Sequence, residues 1–450
     1  MHVVASATKR GGGSTRLAVV LAAAGIFVIG AVPAARADPP VGAADPAVVN
    51  TWNAIAMTTI AGPAPTGAGK ANAEAFLWLG YVHAAVYNAV NGITREFELY
   101  EWNAKGPAGA SPQAAAAAAA HGVLMEYFGT DDVANSAAIA ANLDAQLAAS
   151  LAPIPDGVSE DQGVRFGEQA AERLIELRED DGRFAPIVFA PPDPTAPGVW
   201  RPTPPAMAPF FAPWLGFMEP LLLDSASQFR PGPPPAISSP RYVEEFEEVR
   251  DYGVNVGSLR DAAQTESALF FSDTGIGPLH AAIRDLAVRR GDDISERARL
   301  FGAVQMAMAD ALFAIWDAKY HYGWWRPITA IREADTDGND ATSTVPGWTP
   351  LVTTPPYPDW PSGLCGIVGA ASTALTVLYG SVDLSITSVA AGLPGPPLTR
   401  HYASAASLQQ DVIDARVWSG IHFRTADEIG CAMGTQVASW ALGRHFAPES

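Results

Sequence analysis

The chain has 450 residues, enough to bury a full core and to hold one large domain or two or three smaller ones. It carries 28 basic against 47 acidic side chains, a formal charge of −19, and a surface that acidic disfavours nucleic acid and anionic membranes as partners. Two cysteines, Cys365 and Cys431, are too few for a thiolate zinc cage.

Residues 1–37 read as an export signal. Lys9, Arg10 and Arg16 form its positive region, Leu17 to Val32 is apolar, and Ala35-Arg36-Ala37 fits a small-x-small cleavage site. The mature chain is then expected to start at Asp38 and to be secreted or held in the cell envelope, with no stable membrane contact; an uncleaved anchor is the alternative. The Lys9-Arg10 pair favours general secretion over twin-arginine export. Cleavage removes four basic residues and no acid, leaving 24 against 47, or −23.

Residues 38–450 are expected to form one α-helical domain, its helical halves at about 48–184 and 241–445 separated by a Pro-rich crossover at 185–240. Val48, Trp52, Ile55 and Ile60 recur at helical spacing. A helix is expected over Ala71–Val90, ended by Asn91-Gly92; His83 lies on or beside its apolar face, where a histidine is most often a satisfied core residue. Ser111-Pro112 opens the next helix as cap and first turn, and Ala134–Leu151 and Asp161–Arg178 follow. In 185–240 proline is dense but mixed with Trp200, Phe210, Phe211 and Trp214, which argues for an ordered extended segment packed over helices rather than a disordered linker. Helices are expected again over Arg241–Tyr252, Asp261–Phe271 and Pro278–Arg289, and then a long one from Ser295 to about Trp325. Strand signals are scarce, so helix on helix is the expected architecture, an all-α fold.

Three later stretches carry candidate chemistry. Lys319 and Arg326 are seven residues apart, the spacing of one helical face, and Pro327 pushes Arg326 out of helical geometry. Pro361-Ser362-Gly363 reads as a helix start, with Ser362 near the cap, Gly363 letting a ligand approach the backbone, and free N–H groups that favour an anion. Arg416 and His422 flank a break at Gly420; a helix from about Ser407 is expected to end near Trp418, and Thr425 with Glu428 reads as the capping box of the next. Asp427 either orients His422 or only complements the helix dipole. Three cations, a hydroxyl, backbone N–H groups and an imidazole suit a tetrahedral oxyanion.

Lys319-x6-Arg326-Pro327, Pro361-Ser362-Gly363 and Arg416-x5-His422, in that order, resemble the three-part signature shared by vanadium-dependent haloperoxidases and type 2 phosphatidic acid phosphatases. The flanks Trp316-Asp317-Ala318-Lys319-Tyr320 and Gly420-Ile421-His422-Phe423-Arg424 resemble the secreted bacterial haloperoxidase-like branch, and the likeness extends over about residues 48–445. The resemblance implies a helical-bundle fold of the haloperoxidase and acid phosphatase type. It implies a vanadate, or a phosphate, whose oxygens are neutralised by Lys319, Arg326 and Arg416 and bonded by Ser362 and the Gly363 N–H. His422 would bind vanadium axially, or attack phosphorus. Tyr357 falls where the family has a residue linked to halide preference.

Two departures stand out. The family's acid–base histidine after the Ser-Gly pair is here Leu364, and its aspartate four residues after the axial histidine is here Ala426, with Asp427 one later. Asp359, His321 and His401 are the candidates to replace the lost proton carrier. The readings in competition are a haloperoxidase-like enzyme using hydrogen peroxide and halide, a phosphoric-ester hydrolase with His422 as nucleophile, a non-catalytic oxyanion-binding protein, and another vanadate- or peroxide-linked chemistry. Cys365 and Cys431 follow the second and third site stretches; in an oxidising compartment they could pair and join two site helices, or remain buried free thiols.

Overall fold

A computed structural model of the protein describes residues 44–191, 193–272, 277–390, 392–393 and 395–449. The expected signal at 1–37 lies outside them. The helices are α1 (Ala47–Ala61), α2 (Asn72–Thr94), α3 (Pro112–Phe128), α4 (Ser136–Leu151), α5 (Val158–Leu177), α6 (Pro240–Tyr252), α7 (Ala262–Phe270), α8 (Gly277–Arg290), α9 (Ile294–Tyr322), α10 (Pro327–Arg332), α11 (Gly363–Tyr379), α12 (Ala405–Trp418) and α13 (Arg424–Leu442). One antiparallel hairpin, β1 (Leu384–Ser388) with β2 (Leu398–Tyr402), pairs Leu384 with Tyr402 and Ser388 with Leu398. The architecture is all-α, as the patterning predicts; the hairpin, too short to signal itself, and α10 were not anticipated.

The central element is α9. It is long and apolar enough to span a membrane, yet nearly all of it is buried inside the protein, which marks it as a core helix. Helix α2 packs along it from the N-terminal half, and α11 and α13 pack on it from the C-terminal half. The contact between α11 and α13 is made backbone to backbone. A Cβ on Gly434 would lie 1.9 Å from the Gly366 carbonyl oxygen, one on Gly369 2.4 Å from that of Cys431, and one on Gly430 2.5 Å from that of Ser362. Small residues on both helices permit this approach.

Local signals that the sequence offered were sometimes overridden. α2 continues through Asn91-Gly92 because both are buried, and Gly92 makes room for the Phe166 ring, which would lie 2.6 Å from a Cβ there. α9, expected from Ser295, starts at Ile294, where Asp293 and Glu296 form a reciprocal capping box. The Thr425–Glu428 box does not form: both side chains bond Arg241 of α6, and α13 starts after Phe423.

The Pro-rich crossover is extended, with one short 3₁₀ turn at Pro213–Phe217, and it buttresses α9. Buried Asp310 on α9 accepts the backbone N–H groups of Leu221, Leu222 and Leu223 at 2.6–2.9 Å. Arg230 makes a bidentate pair with Asp317 at 2.6 and 2.7 Å. Trp200 N donates to Gly323 O and Trp325 N to Gly198 O, clamping the segment between Lys319 and Arg326.

His83 is a core residue, as expected. Its Nε2 bonds Asn53 at 2.9 Å and its ring stacks on Phe301. Burial, then the neighbouring His280 and Arg284, push it down from 6.5 to about 3. In the unfolded chain the imidazole takes a proton near its ordinary value, whereas the folded protein refuses it. Stability from this group is therefore full above about pH 6.5 and is lost as pH falls toward 3. Urea midpoints are expected to drop between about pH 8 and pH 5, and His83→Gln is expected to flatten that drop. Equal slopes in the two proteins would refute this.

Candidate functional site

The end of α9, the loop before α11 and the turn between α12 and α13 meet at one place. Lys319, on the last turn of α9, is fully buried, and its Nζ donates to the carbonyls of Pro358 at 2.7 Å and Asp359 at 2.9 Å. Gly323 ends α9 in the left-handed conformation, and Arg326 is the residue before α10, with extended backbone. Lys319 and Arg326 thus converge across the break between α9 and α10 and not along one helical face. Trp316 and Tyr357 lie under the Lys319 ammonium at 5.8 and 5.1 Å, and Tyr357 is 4.9 Å from the Arg326 guanidinium. These rings hold the cations in place.

Arg326 is also fully buried. Its Nε donates to Tyr357 O at 2.8 Å and its Nη1 to Ile421 O at 2.7 Å and Asp359 Oδ1 at 3.4 Å. Nη1 lies 3.3 Å from each ring nitrogen of His422, while Nη2 is buried with no partner. Arg416 leaves the last turn of α12; its Nε is buried without a partner. Ser362 occupies the cap position of α11 but does not cap it: the backbone N donates to Ala426 O at 2.8 Å, and the buried Oγ makes no hydrogen bond of normal geometry. Gly363 follows as the first helical residue, 3.4 Å from Trp316 at its Cβ position.

His422 stands in the turn between α12 and α13, 1% exposed. Its Nδ1 lies 2.5 Å from Asp359 Oδ1, and Asp359 Oδ2 accepts from Phe423 N at 3.4 Å. Asp359, not Asp427, therefore orients the imidazole. Burial and then the charges of Arg326, Arg416 and Lys319 hold His422 well below its ordinary value, so the ring is neutral. Burial raises Asp359 to about 6 against the pull of Arg326 and Lys319. An ionised Asp359 at neutral pH fixes the proton on Nδ1 and leaves Nε2 unprotonated, 3.3 Å from Arg326 Nη1. Sequence reasoning named Asp359 only as a stand-in acid; its pairing with a residue 63 positions away leaves no local signal.

The other candidates are placed elsewhere. His321 is exposed at the end of α9 and His401 is exposed on β2, so neither reaches the cluster. Asp427 is buried on the first turn of α13 beside Ser362, and its Oδ1 accepts from Cys365 Sγ at 3.4 Å. Cys365 and Cys431 are neighbours but are buried free thiols, correcting the alternative of a disulfide. A cavity of about 210 Å³ opens onto the cluster, with Phe76, Trp316, Leu364 and Ile367 on its apolar walls and Gly363 and Arg416 beside them.

The donor set fits an oxyanion. Arg326 Nη2 and Arg416 Nε are buried with nothing to bond, and Ser362 Oγ makes no hydrogen bond of normal geometry, a costly state unless a ligand supplies acceptors. Burial and repulsion by Arg326 hold Lys319 well below its ordinary value, which a bound anion would reverse.

Residues 299–447 match the family described as the VCPO second helical-bundle domain. The curated vanadium chloroperoxidase of Curvularia inaequalis is 23% identical over 371 residues, covering 63% of this chain and 60% of that protein; the chain thus spans about 60% of that relative's length. A bacterial vanadium-dependent iodoperoxidase structure superposes with a TM-score of 0.72 at 22% identity, over 92% of this chain and 99% of that one. A holo-type bacterial vanadium-dependent chloroperoxidase does so at 0.66 and 20% identity, over 86% and 96%. The chain has the vanadium haloperoxidase helical-bundle fold, and its residues 299–447 are similar to the second helical-bundle domain of that family.

Proposed function

We propose that the chain is a vanadium-dependent haloperoxidase-like enzyme, exported after loss of residues 1–37, that oxidises halide with hydrogen peroxide. The observation that carries this reading is the convergence of buried, unpartnered nitrogens of Arg326 and Arg416 and the Ser362 hydroxyl with a neutral His422 whose Nδ1 is held by Asp359. Lys319, Arg326 and Arg416 would hold the oxygens of vanadate, Ser362 and the Gly363 N–H would bond it, and His422 would bind vanadium. Vanadate, when bound, supplies activation of peroxide toward halide. The protein's part is a set of fixed donors that need no reorganisation during reaction. Leu364 lies on the apolar wall of the cavity that opens onto these residues.

The test is bromide and iodide oxidation by the mature protein with orthovanadate and peroxide. Activity is expected to depend on vanadate and to fall at least about 10²-fold in His422→Ala. Phosphate-ester hydrolysis without halide oxidation would move the reading to phosphoryl transfer through His422. Neither activity, in a folded protein that binds no vanadate, would overturn it.

A further inference from the structure

Oxidising a halide to hypohalous acid with peroxide consumes one proton per turnover, and position 364, which follows the Ser-Gly pair, holds a leucine. On the functional reading above, the proton must come from another group at the oxyanion. Asp359 is committed, because its two oxygens already serve His422 Nδ1, Arg326 Nη1 and Phe423 N. Lys319 is tied to two backbone carbonyls. Asp427 is different. It is fully buried, its Oδ1 takes only the weak Cys365 thiol, and its Oδ2 has no hydrogen-bond partner. The Ser362 hydroxyl lies beside this carboxyl without a hydrogen bond of normal geometry to it. The two are held in register by the Ser362 N to Ala426 O bond and by the close contact of Gly430 with the Ser362 backbone.

We infer that Asp427 is the proton store of the site, acting through the Ser362 hydroxyl. Ser362 Oγ–H gives its proton to the oxygen held in the site. Asp427 Oδ2–H then passes its own proton to Ser362 Oγ, so the serine is restored. The negative charge ends on Asp427, within the field of Arg416, Lys319 and Arg326, and water in the adjoining cavity returns the proton. Burial pushes the Asp427 carboxyl well above the ordinary carboxylate range, against Ser362 and Arg416, while Asp359 raises it further. The acid is therefore present to donate. Cys365 on α11, itself pushed up by burial and by Cys431, stays a thiol and adds no charge.

The experiment measures orthovanadate affinity calorimetrically from about pH 5 to about pH 9 in native protein and in Asp427→Asn. Vanadate's own titration is common to both and cancels in the comparison. In native protein, ionisation of Asp427 beside the anion is expected to add a loss of up to about tenfold in affinity per pH unit. Asp427→Asn should lack that added slope, still bind vanadate, and turn over at least about 10²-fold more slowly. In a Ser362→Ala background, Asp427→Asn should cost little more, since the hydroxyl that transmits the proton is gone. Superimposable pH profiles would overturn the relay alone. No vanadate binding by native protein would overturn the oxyanion site, and the relay with it. Should Asp427→Asn not fold, native protein still decides: vanadate must shift the infrared C=O stretch of a protonated carboxyl, and an unchanged band refutes the inference.

Discussion

Replacing Asp359 with asparagine is expected to lower the vanadate-to-phosphate affinity ratio by about 10- to 100-fold. Two effects compete in this substitution. Loss of a buried negative charge next to Arg326 and Lys319 leaves the cage more cationic, which favours any anion. Loss of the carboxylate also releases His422 Nδ1–H, now held at 2.5 Å, so the Nε2 lone pair is no longer fixed in place. Phosphate uses only the cage and should bind as well or better. Vanadate, held also by His422 on the proposed reading, should bind worse. The ratio separates the two effects where a single affinity would mix them. Calorimetric titration of both anions into native and Asp359→Asn protein is the check. Equal losses for both would mean that Asp359 only scaffolds its loop.

Gly434→Ala is expected to destabilise the protein by at least about 1–3 kcal/mol and to weaken vanadate binding in whatever folds. The new Cβ would meet the Gly366 carbonyl oxygen at 1.9 Å. Backbone cannot swing aside as a side chain does, and Gly366 is itself backed by Ile315, whose Cδ1 would lie 1.8 Å from a Cβ there. α11 and α13 must therefore separate. Ser362 is at the start of one and His422 just before the other, so the strain falls on the site. Gly347→Ala, with open space around it, should be nearly neutral and serves as the control. Urea midpoints of the three proteins decide it, and a Gly434→Ala variant as stable as native would refute the close-packing argument.

The site was legible because its residue types are unusual in this setting. Lys319, Arg326 and Arg416 stand out in a strongly acidic chain, and a Pro-Ser-Gly helix start and a histidine after a Gly break are local patterns. The structure brings all of these together. Roles that depend on contacts across the chain were not legible. Asp427 lies five residues after His422 and Asp359 lies 63 before it, yet Asp359 is the partner. The fold of the loop around Trp360 decides this, and sequence distance does not. The Thr425–Glu428 capping box has the right letters, but Arg241 offers both side chains charge-assisted bonds, which prevail over local capping.

By itself, the sequence determined the all-α class, most helix spans, the ordered character of the Pro-rich crossover and the three stretches that converge at Lys319, Arg326, Ser362, Arg416 and His422. Periodicity, proline and capping residues act within a few positions, so these features can be read locally. Only the tertiary structure decided where α2 and α9 end, which carboxylate serves His422, that Ser362 does not cap α11 with its hydroxyl, and that Cys365 and Cys431 are free thiols. Each of these is settled by burial and by backbone contacts between segments far apart in the chain, where desolvation and close packing outweigh local preference.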